Sequence, residues 1–200
     1  SPSEDLRPAR VRARALPAGQ PGRICLRGPM LMQGYLHRPP LAGHFFDTGD
    51  IGYVEPGAAT DVRAGALHVL SRRTDLIVTG GENVYPAEVE AALLSHPAVA
   101  AALVFGVDDP LWGAKVAAAL VPHPDAMATD RATDRATDWA TEGQAIADHL
   151  ATRLAAFKRP RLVCWVRSLP ELANGKPDRR GAARDLADQL IPLPSPRVLR

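Results

Sequence analysis

The predicted order of structural elements in this 200-residue chain depends most on residues 71–90, SRRTDLIVTGGENVYPAEVE. The polar start, SRRTD, breaks the preceding apolar pattern, and three apolar residues from Leu76 onward then predict a short buried strand. The paired glycines that follow permit a tight turn with positive φ. Pro86 can open a helix, and Glu88 and Glu90 in its first turn suit the positive end of the helix dipole. The stretch therefore predicts a boundary, a strand, a turn and a helix in succession.

Before this stretch, the sequence predicts a small antiparallel sheet. GRICLRGP (22–29) alternates apolar and basic residues, which is typical of a half-buried strand. HFFDTGDIGYV (44–54) and GALHVLSRR (65–73) are two further strand candidates, with residues 55–65 as their connecting loop. Residues 1–21 are rich in Pro and Arg with little periodicity, so they predict an irregular leader.

After this stretch, strand and helix patterns are mixed. AVAAALVFGV (98–107) and AKVAAALVP (114–122) are apolar runs of strand length, and PRLVCWV (160–166) is a third strand candidate. EGQAIADHLATRLAAF (142–157) carries apolar residues at four-residue steps, which predicts an amphipathic helix. PDRRGAARDLADQL (177–190) is the last helix candidate. The fold class predicted for the chain is α+β.

The segment ATDRATDRATDWATE (128–142) repeats a tetrapeptide and then decays. Four residues advance roughly 40° beyond a full helical turn, so the repeat builds no fixed apolar face. Thr and Asp also disfavour helix. We therefore expect a flexible surface insertion between a strand and a helix.

Composition excludes several classes of protein. The net charge of +2 is a near-balance of 24 basic and 22 acidic residues without aromatic interleaving, which argues against nucleic-acid binding. No apolar run approaches the ~18 residues of a membrane span. Cys25 and Cys164 fit neither a zinc spacing nor a disulfide framework, which predicts a reducing, cytoplasmic location. The six histidines show no ligand spacing, so no metal site is predicted.

Three short segments could carry chemistry, and each also has a purely structural interpretation. Asp47 and Asp50 flank a Thr-Gly pair and could accept hydrogen bonds from sugar hydroxyls, or form an Asx-turn. Gly80 and Gly81 would let a ligand approach the backbone closely, or simply form a tight turn. Lys176, one of three lysines against 21 arginines, lies beside a glycine. It could swing a point charge into a site, or be an exposed turn lysine.

Taken in order, four segments resemble the adenylate-forming acyl-CoA synthetases. They are GRICLRGPMLMQGYLHRP (22–39), FFDTGDIGYV (45–54), SRRTDLIVTGGENVYPAEVE (71–90) and LAAFKRPRLVCWVRSLPELANGKPDRR (154–180). Within that superfamily, residues 79–86 are similar to o-succinylbenzoate–CoA ligases and fatty acyl-CoA ligases. The resemblance implies the last β pieces of a large N-terminal domain, followed by a small mobile α+β domain.

The resemblance implies roles for residues that would meet the nucleotide. Asp50 matches the acidic residue that binds both ribose hydroxyls of ATP. Arg72 matches an arginine that contacts the nucleotide, although Ser71 stands where the family usually has Gly. Lys176 matches the lysine that touches the carboxylate and the α-phosphate during adenylation, and it is the implied catalytic residue.

The resemblance also implies a domain rotation between two half-reactions. Thr74 falls at the hinge, and the turn at Gly80 and Gly81 faces the pantetheine tunnel in the thioester-forming state. The substrates would be a carboxylic acid, ATP and CoA, passing through an acyl-AMP. Mg²⁺ is expected in the complete enzyme, but its ligand does not lie in this chain.

The family's phosphate-binding loop and its Y-G-x-T-E motif are not found in these residues. We therefore expect no ligase activity from the chain by itself. Three interpretations stay open: part of a longer ligase, one subunit of a split ligase, or a non-catalytic decayed remnant. The predicted divisions are a leader, the end of the N-terminal domain, a hinge, the mobile domain and a tail: 1–21, 22–72, 73–75, 76–191 and 192–200.

Overall fold

The computed structural model describes residues 14–37, 40–41, 45–57, 65–124 and 135–197, with backbone alone for 135–140. The chain divides into two compact units, Ser1–Thr74 and Asp75–Arg200. Among the described residues, no helix is long and apolar enough to cross a membrane.

The first unit is a three-stranded antiparallel sheet, as the sequence predicts. Its strands are β1 (Gly22–Leu26), β2 (Phe46–Val54) and β3 (Leu67–Arg72), in the order β1-β2-β3. Gly52 lies where β2 runs too close to β3 for a side chain, because an added Cβ would meet the carbonyl of His68 at 2.2 Å. The described part of the predicted leader, residues 14–21, forms neither helix nor strand.

The second unit begins with the stretch that marks the boundary. A 3₁₀ turn, Arg73–Asp75, precedes the hairpin of β4 (Ile77–Thr79) and β5 (Glu82–Val84). Gly80 and Gly81 form its two-residue loop. Helix α1 (Pro86–Leu94) follows, with proline in its first turn as predicted. The strand β5 has no apolar alternation of its own, which explains why the pattern did not reveal it.

A four-stranded mixed sheet forms the centre of the second unit. It contains β6 (Val99–Asp109), β7 (Gly113–Pro122), β8 (Leu162–Trp165) and β9 (Ile191–Pro192), in chain order across the sheet. Strands β7 and β8 run parallel, and the other neighbours are antiparallel. The return from β7 to β8 passes through α2 (Arg135–Ala151).

Helices cover both faces of this sheet, which explains the nearly continuous apolar runs of β6 and β7. On one face, Val104 and Val116 pack against the helices α1 and α2. On the other face, Leu103 and Phe105 pack with Ala182 of α3 (Arg179–Asp185). Successive residues thus enter opposite cores, and the α+β class predicted from the sequence is confirmed.

Helix α2 differs from its predicted range of 142–157. It begins at Arg135, so the second half of the repeat segment is helical rather than an irregular insertion; residues 128–134 lie outside the described residues. Once Ile146 and Leu150 are buried, extending the helix backward costs little, because only nucleation is unfavourable. The helix ends at Ala151, where Arg159 donates to the carbonyls of Ala151 and Leu154 at 3.2 and 2.9 Å.

The C-terminal part also departs from the sequence pattern. The predicted helix 177–190 is divided into α3 and a 3₁₀ turn, Ala187–Gln189. Beyond β9, the Leu193 amide donates to the carbonyl of Arg161 at 3.0 Å. The side chain of Gln144 donates to the carbonyl of Ser195, also at 3.0 Å. Such pairings depend on tertiary contacts and leave no periodic signal.

Candidate functional site

The Thr-Gly-Asp segment of β2 is held by hydrogen bonds of the Asp47 and Thr48 side chains. Asp47 accepts the Gly49 amide at 2.9 Å, and the hydroxyl of Thr48 accepts the Asp50 amide at 3.1 Å. Thr48 also donates to the carbonyl of Ile24 on β1 at 3.1 Å. Asp47 thus adopts the Asx-turn that was its structural interpretation.

The sheet brings Asp50 and Arg72 together although they lie far apart in sequence. They are direct partners across β2 and β3, and Arg72 Nε lies 3.5 Å from Asp50 Oδ1. The Arg72 side chain is 66% exposed and that of Asp50 is 27% exposed. An exposed guanidinium beside a carboxylate with acceptor capacity can offer donors and acceptors to the same polar ligand.

Two arginines that the sequence did not single out surround Asp47. Arg73 Nη1 lies 3.1 Å and Arg23 Nη1 3.5 Å from Asp47 Oδ2. These ion pairs form a cluster around Asp47 that includes Arg73, the residue immediately before Thr74. Thr74 is exposed within the 3₁₀ turn and is the last residue before the division between the two units. Its role as a hinge stays a prediction.

The turn at Gly80 and Gly81 is one wall of a groove in the second unit. Their φ values of 58° and 84° match the type I′ loop of a two-residue hairpin, which favours glycine at both positions. The Gly80 amide donates to the carbonyl of Trp112 at 2.9 Å. A cavity of about 230 Å³ lies beside this turn, lined in part by Trp112, Phe157 and Arg161.

The charge of this groove depends on which cations are already paired. Lys115 lies 2.5 Å from Asp109, and that hydrogen bond, with further ones from the Trp112 and Leu111 amides, lowers the pKa of Asp109. Arg161 is exposed and forms no ion pair among the described residues. The groove thus presents aromatic surface, the exposed guanidinium of Arg161 and the exposed carboxylate of Glu82. It can offer both donors and acceptors to a polar ligand with a planar ring.

Sequence reasoning missed the aromatic and basic lining of this groove. Trp112, Phe157 and Arg161 are separated along the chain and form no local motif. The signal in the sequence was Trp112, a large aromatic residue in the short loop between the apolar runs 98–107 and 114–122. In the structure it is 50% exposed at the tip of the β6–β7 hairpin.

Lys176 lies on a closed turn in the second unit. The Leu172 amide donates to the Lys176 carbonyl at 2.8 Å, and the Asn174 side chain accepts the Lys176 amide at 3.1 Å. Gly175 occupies the left-handed region, with φ of 74°. Within the described part of the chain, the ammonium of Lys176 has no carboxylate partner, so a rigid backbone presents an exposed charge on a flexible stem. Lys176 is not among the residues that line the groove at Gly80.

Neither cysteine is suited to act as a nucleophile. Both Cys25 and Cys164 are free thiols, and burial raises the pKa of Cys164 to about 11. Burial is also the main cause that raises the pKa of Cys25, followed by the charge of Asp47. In the described ranges, no group of three His, Cys, Asp or Glu side chains could hold a metal ion.

The fold of the chain matches the C-terminal domain of adenylate-forming enzymes. Residues 88–176, which lie in the second unit, match the family of AMP-binding enzyme C-terminal domains. A 2-succinylbenzoate–CoA ligase from Geobacillus sp. (strain WCH70) is 39% identical over 178 residues, which cover 86% of this chain and 31% of that protein.

Solved structures agree with this assignment. The o-succinylbenzoate CoA synthetase of Bacillus subtilis, solved with its acyl-adenylate intermediate, is 36% identical with a TM-score of 0.63, covering 82% of this chain and 31% of that one. ATP-bound MatB of Rhodopseudomonas palustris is 31% identical with a TM-score of 0.65, covering 86% and 32%. The chain therefore spans about a third of the length of the relatives it matches.

Proposed function

We propose that this chain supplies the C-terminal part of an ATP-dependent carboxylic acid–CoA ligase. The observation that carries the proposal is the exposed, uncompensated ammonium of Lys176, held on a closed turn at the end of the family match. The relatives support it, because they include CoA ligases and a synthetase solved with an acyl-adenylate.

In the first half-reaction, a substrate carboxylate oxygen attacks the α-phosphorus of ATP. The bond to the β-phosphate breaks, and acyl-AMP and pyrophosphate form. Negative charge builds on the α-phosphate and on the leaving group, so a cation delivered by Lys176 lowers the barrier electrostatically. Asp50 would accept hydrogen bonds from the ribose hydroxyls, with the Arg72 guanidinium beside it.

In the second half-reaction, the thiol of CoA attacks the acyl carbonyl carbon and AMP leaves. This step needs Lys176 withdrawn and a path for the thiol, which a rotation about Thr74 would provide. The groove at Gly80 supports this step, because its aromatic side chains suit the adenine of CoA. The exposed Arg161 can donate to a phosphate, and the Glu82 carboxylate beside it can accept from donors of the same ligand.

Several components of the complete reaction are proposed to lie elsewhere. We assign Mg²⁺ no step in this chain, because no group of three His, Cys, Asp or Glu side chains among the described residues could hold a metal ion. The acid-binding residues and the ATP phosphate loop would belong to the part of the relatives that this chain does not match. A separate subunit could supply that part, and the free cysteines are compatible with a reducing cytoplasm.

The test joins this chain to the B. subtilis o-succinylbenzoate CoA synthetase, in place of the 31% that it matches. We expect the chimera to support acid-dependent pyrophosphate exchange into ATP, and Lys176→Ala to reduce the exchange rate roughly 100-fold or more. Arg180→Ala removes another exposed cation from the same segment and serves as the matched control. An active chimera with equal rates for Lys176→Ala and its parent would contradict the proposal.

A further inference from the structure

The outer edge of strand β6 is covered by side chains instead of a neighbouring strand. Among the strands that the structure describes, β6 pairs with β7 alone. At its midpoint, the Val104 amide donates to Glu90 Oε1 at 2.8 Å, and Arg179 Nη1 donates to the Val104 carbonyl at 2.7 Å. The two side chains therefore satisfy the outward amide and carbonyl of Val104, which a pairing strand would otherwise bind.

These two side chains also bind each other. Arg179 contacts both carboxylate oxygens of Glu90, with Nη2 3.2 Å from Oε2 and Nη1 against Oε1. Their side chains are only 18% and 16% exposed. The same guanidinium reaches Asp75, with Nε 3.5 Å from Oδ2. One arginine thus joins α1, β6 and the first residue of the second unit.

Arg179 is also the point where the Lys176 turn meets the body of the domain. The Asp178 amide donates to the carbonyl of Pro170 at 3.0 Å, which closes the base of the turn. The Asp178 carboxylate accepts the Gly181 amide at 2.8 Å and caps α3. Only two residues separate Lys176 from Arg179, so the backbone position of Arg179 constrains that of Lys176.

We infer that Arg179 is a positioning residue for Lys176, an inference that rests on the proposed ligase function. The planar fork of Arg179 binds Glu90 and Val104 together, which fixes the base of the Lys176 turn against α1 and β6. A lysine at 179 would keep the charge, but its single ammonium cannot reproduce the fork. Displacing a catalytic group by about 1 Å is enough to cost roughly 100-fold in rate.

The experiment uses the same chimera and measures the two half-reactions separately. We expect Arg179→Met and Arg179→Lys to lower kcat for acyl-adenylate formation roughly 10- to 100-fold, with little change in KM for ATP. Thioester formation from supplied acyl-adenylate and CoA should stay within about twofold, because it does not use Lys176. Arg184→Met is the matched control, since Arg184 lies on the same helix, is 77% exposed and pairs only with neighbouring Asp185 among described residues.

A double variant separates positioning from a general loss of structure. If Arg179 acts through Lys176, adding Arg179→Met to Lys176→Ala should lower adenylation no further. Equal loss in both half-reactions, or additive losses in the double variant, would overturn the inference. If Arg179→Met does not fold, Arg179→Lys decides by the same two readouts. Should Lys176→Ala itself leave adenylation unchanged, the proposed function fails; should only the Arg179 variants do so, this inference alone fails.

Discussion

Gly80 is favoured for two reasons, its backbone conformation and its close contact with Trp112. Its φ of 58° disfavours any other residue type, and a Cβ built there would lie 2.8 Å from Cε3 of Trp112. Gly81, its neighbour in the same turn, has a φ of 84° and no atom within 4 Å of such a Cβ. A side chain at either glycine would therefore strain the backbone, but only a side chain at Gly80 would also contact Trp112 in the groove.

We predict that Gly80→Ala raises KM for CoA in the chimera several-fold more than Gly81→Ala does. Both substitutions incur a backbone cost of roughly 1–2 kcal/mol, but only Gly80→Ala pushes against the Trp112 side chain. Steady-state kinetics at varied CoA concentration measure the difference. Indistinguishable KM values for the two variants would argue against a role of this groove in CoA binding.

The sequence revealed individual residues only where they lie in ordered motifs. Asp50, Arg72 and Lys176 were predicted because their neighbours form recognisable segments, although their roles remain proposals. Trp112 and Arg161 were not, because a groove formed by distant segments leaves no spacing to detect. Asp47 was considered as a ligand acceptor, yet its oxygens bind Gly49 and the arginines beside it.

Two elements, α1 and α2, meet at His149 of α2, next to His96, which lies just beyond the end of α1. His149 Nε2 lies 3.2 Å from the Ala92 carbonyl and 2.8 Å from the Ser95 hydroxyl. His96 is buried, its Nδ1 accepts the Ala98 amide at 3.3 Å, and its ring meets that of His149 edge-on at 5.0 Å. Apolar residues at four-residue steps predicted α2, and Pro86 with an acidic first turn predicted α1, but neither signal can reveal a polar contact between the two helices.

This contact predicts a loss of stability in mild acid. Burial is the main cause that lowers the pKa of both histidines, and the charge of Arg153 also lowers both. The charge of His149 lowers the pKa of His96 further, while that of Glu142 raises it. Because the folded pKa values lie below about 6.5, the unfolded chain binds protons first as pH falls below that value. The free energy of unfolding should therefore decrease from pH 7 toward pH 5.

Urea unfolding of the 200-residue chain at several pH values measures this effect. His149→Gln keeps a side-chain donor near Ala92 but cannot titrate, so its free energy of unfolding should depend less on pH. His123→Gln, at an exposed position, is the control and should keep the parent's slope. Asp109 and Asp185 titrate below this window, because hydrogen bonds from Lys115 and Arg184 lower their pKa from an already acidic value. A parent curve that is flat between pH 7 and 5 would refute the prediction.

The whole molecule consists of two units with very different cores. In the described part of the first unit, the buried apolar residues are Ile24, Leu41 and Ile51. The second unit has two clusters, one on each face of its sheet. Three strands with so little buried surface are marginal by themselves, whereas a sheet covered on both faces is not.

We therefore predict unequal hydrogen exchange across the chain. Amides of β2 should exchange at least tenfold faster than those of β6 and β7, because local opening requires less apolar exposure there. Mass spectrometry of the 200-residue chain at neutral pH would resolve the two groups of peptides. Equal protection of residues 46–54 and 99–109 would contradict this view of the first unit.

The covered edge of β6 has a consequence for solubility. An exposed strand edge with free amides and carbonyls is a template on which other chains add, and β6 is eleven residues long and mostly apolar. Glu90 and Arg179 occupy the bonding groups of Val104 at its centre and place a charged pair there. The pair proposed to hold the Lys176 turn in place thus also blunts an aggregation-prone edge, so a substitution at Arg179 should lower solubility as well as adenylation.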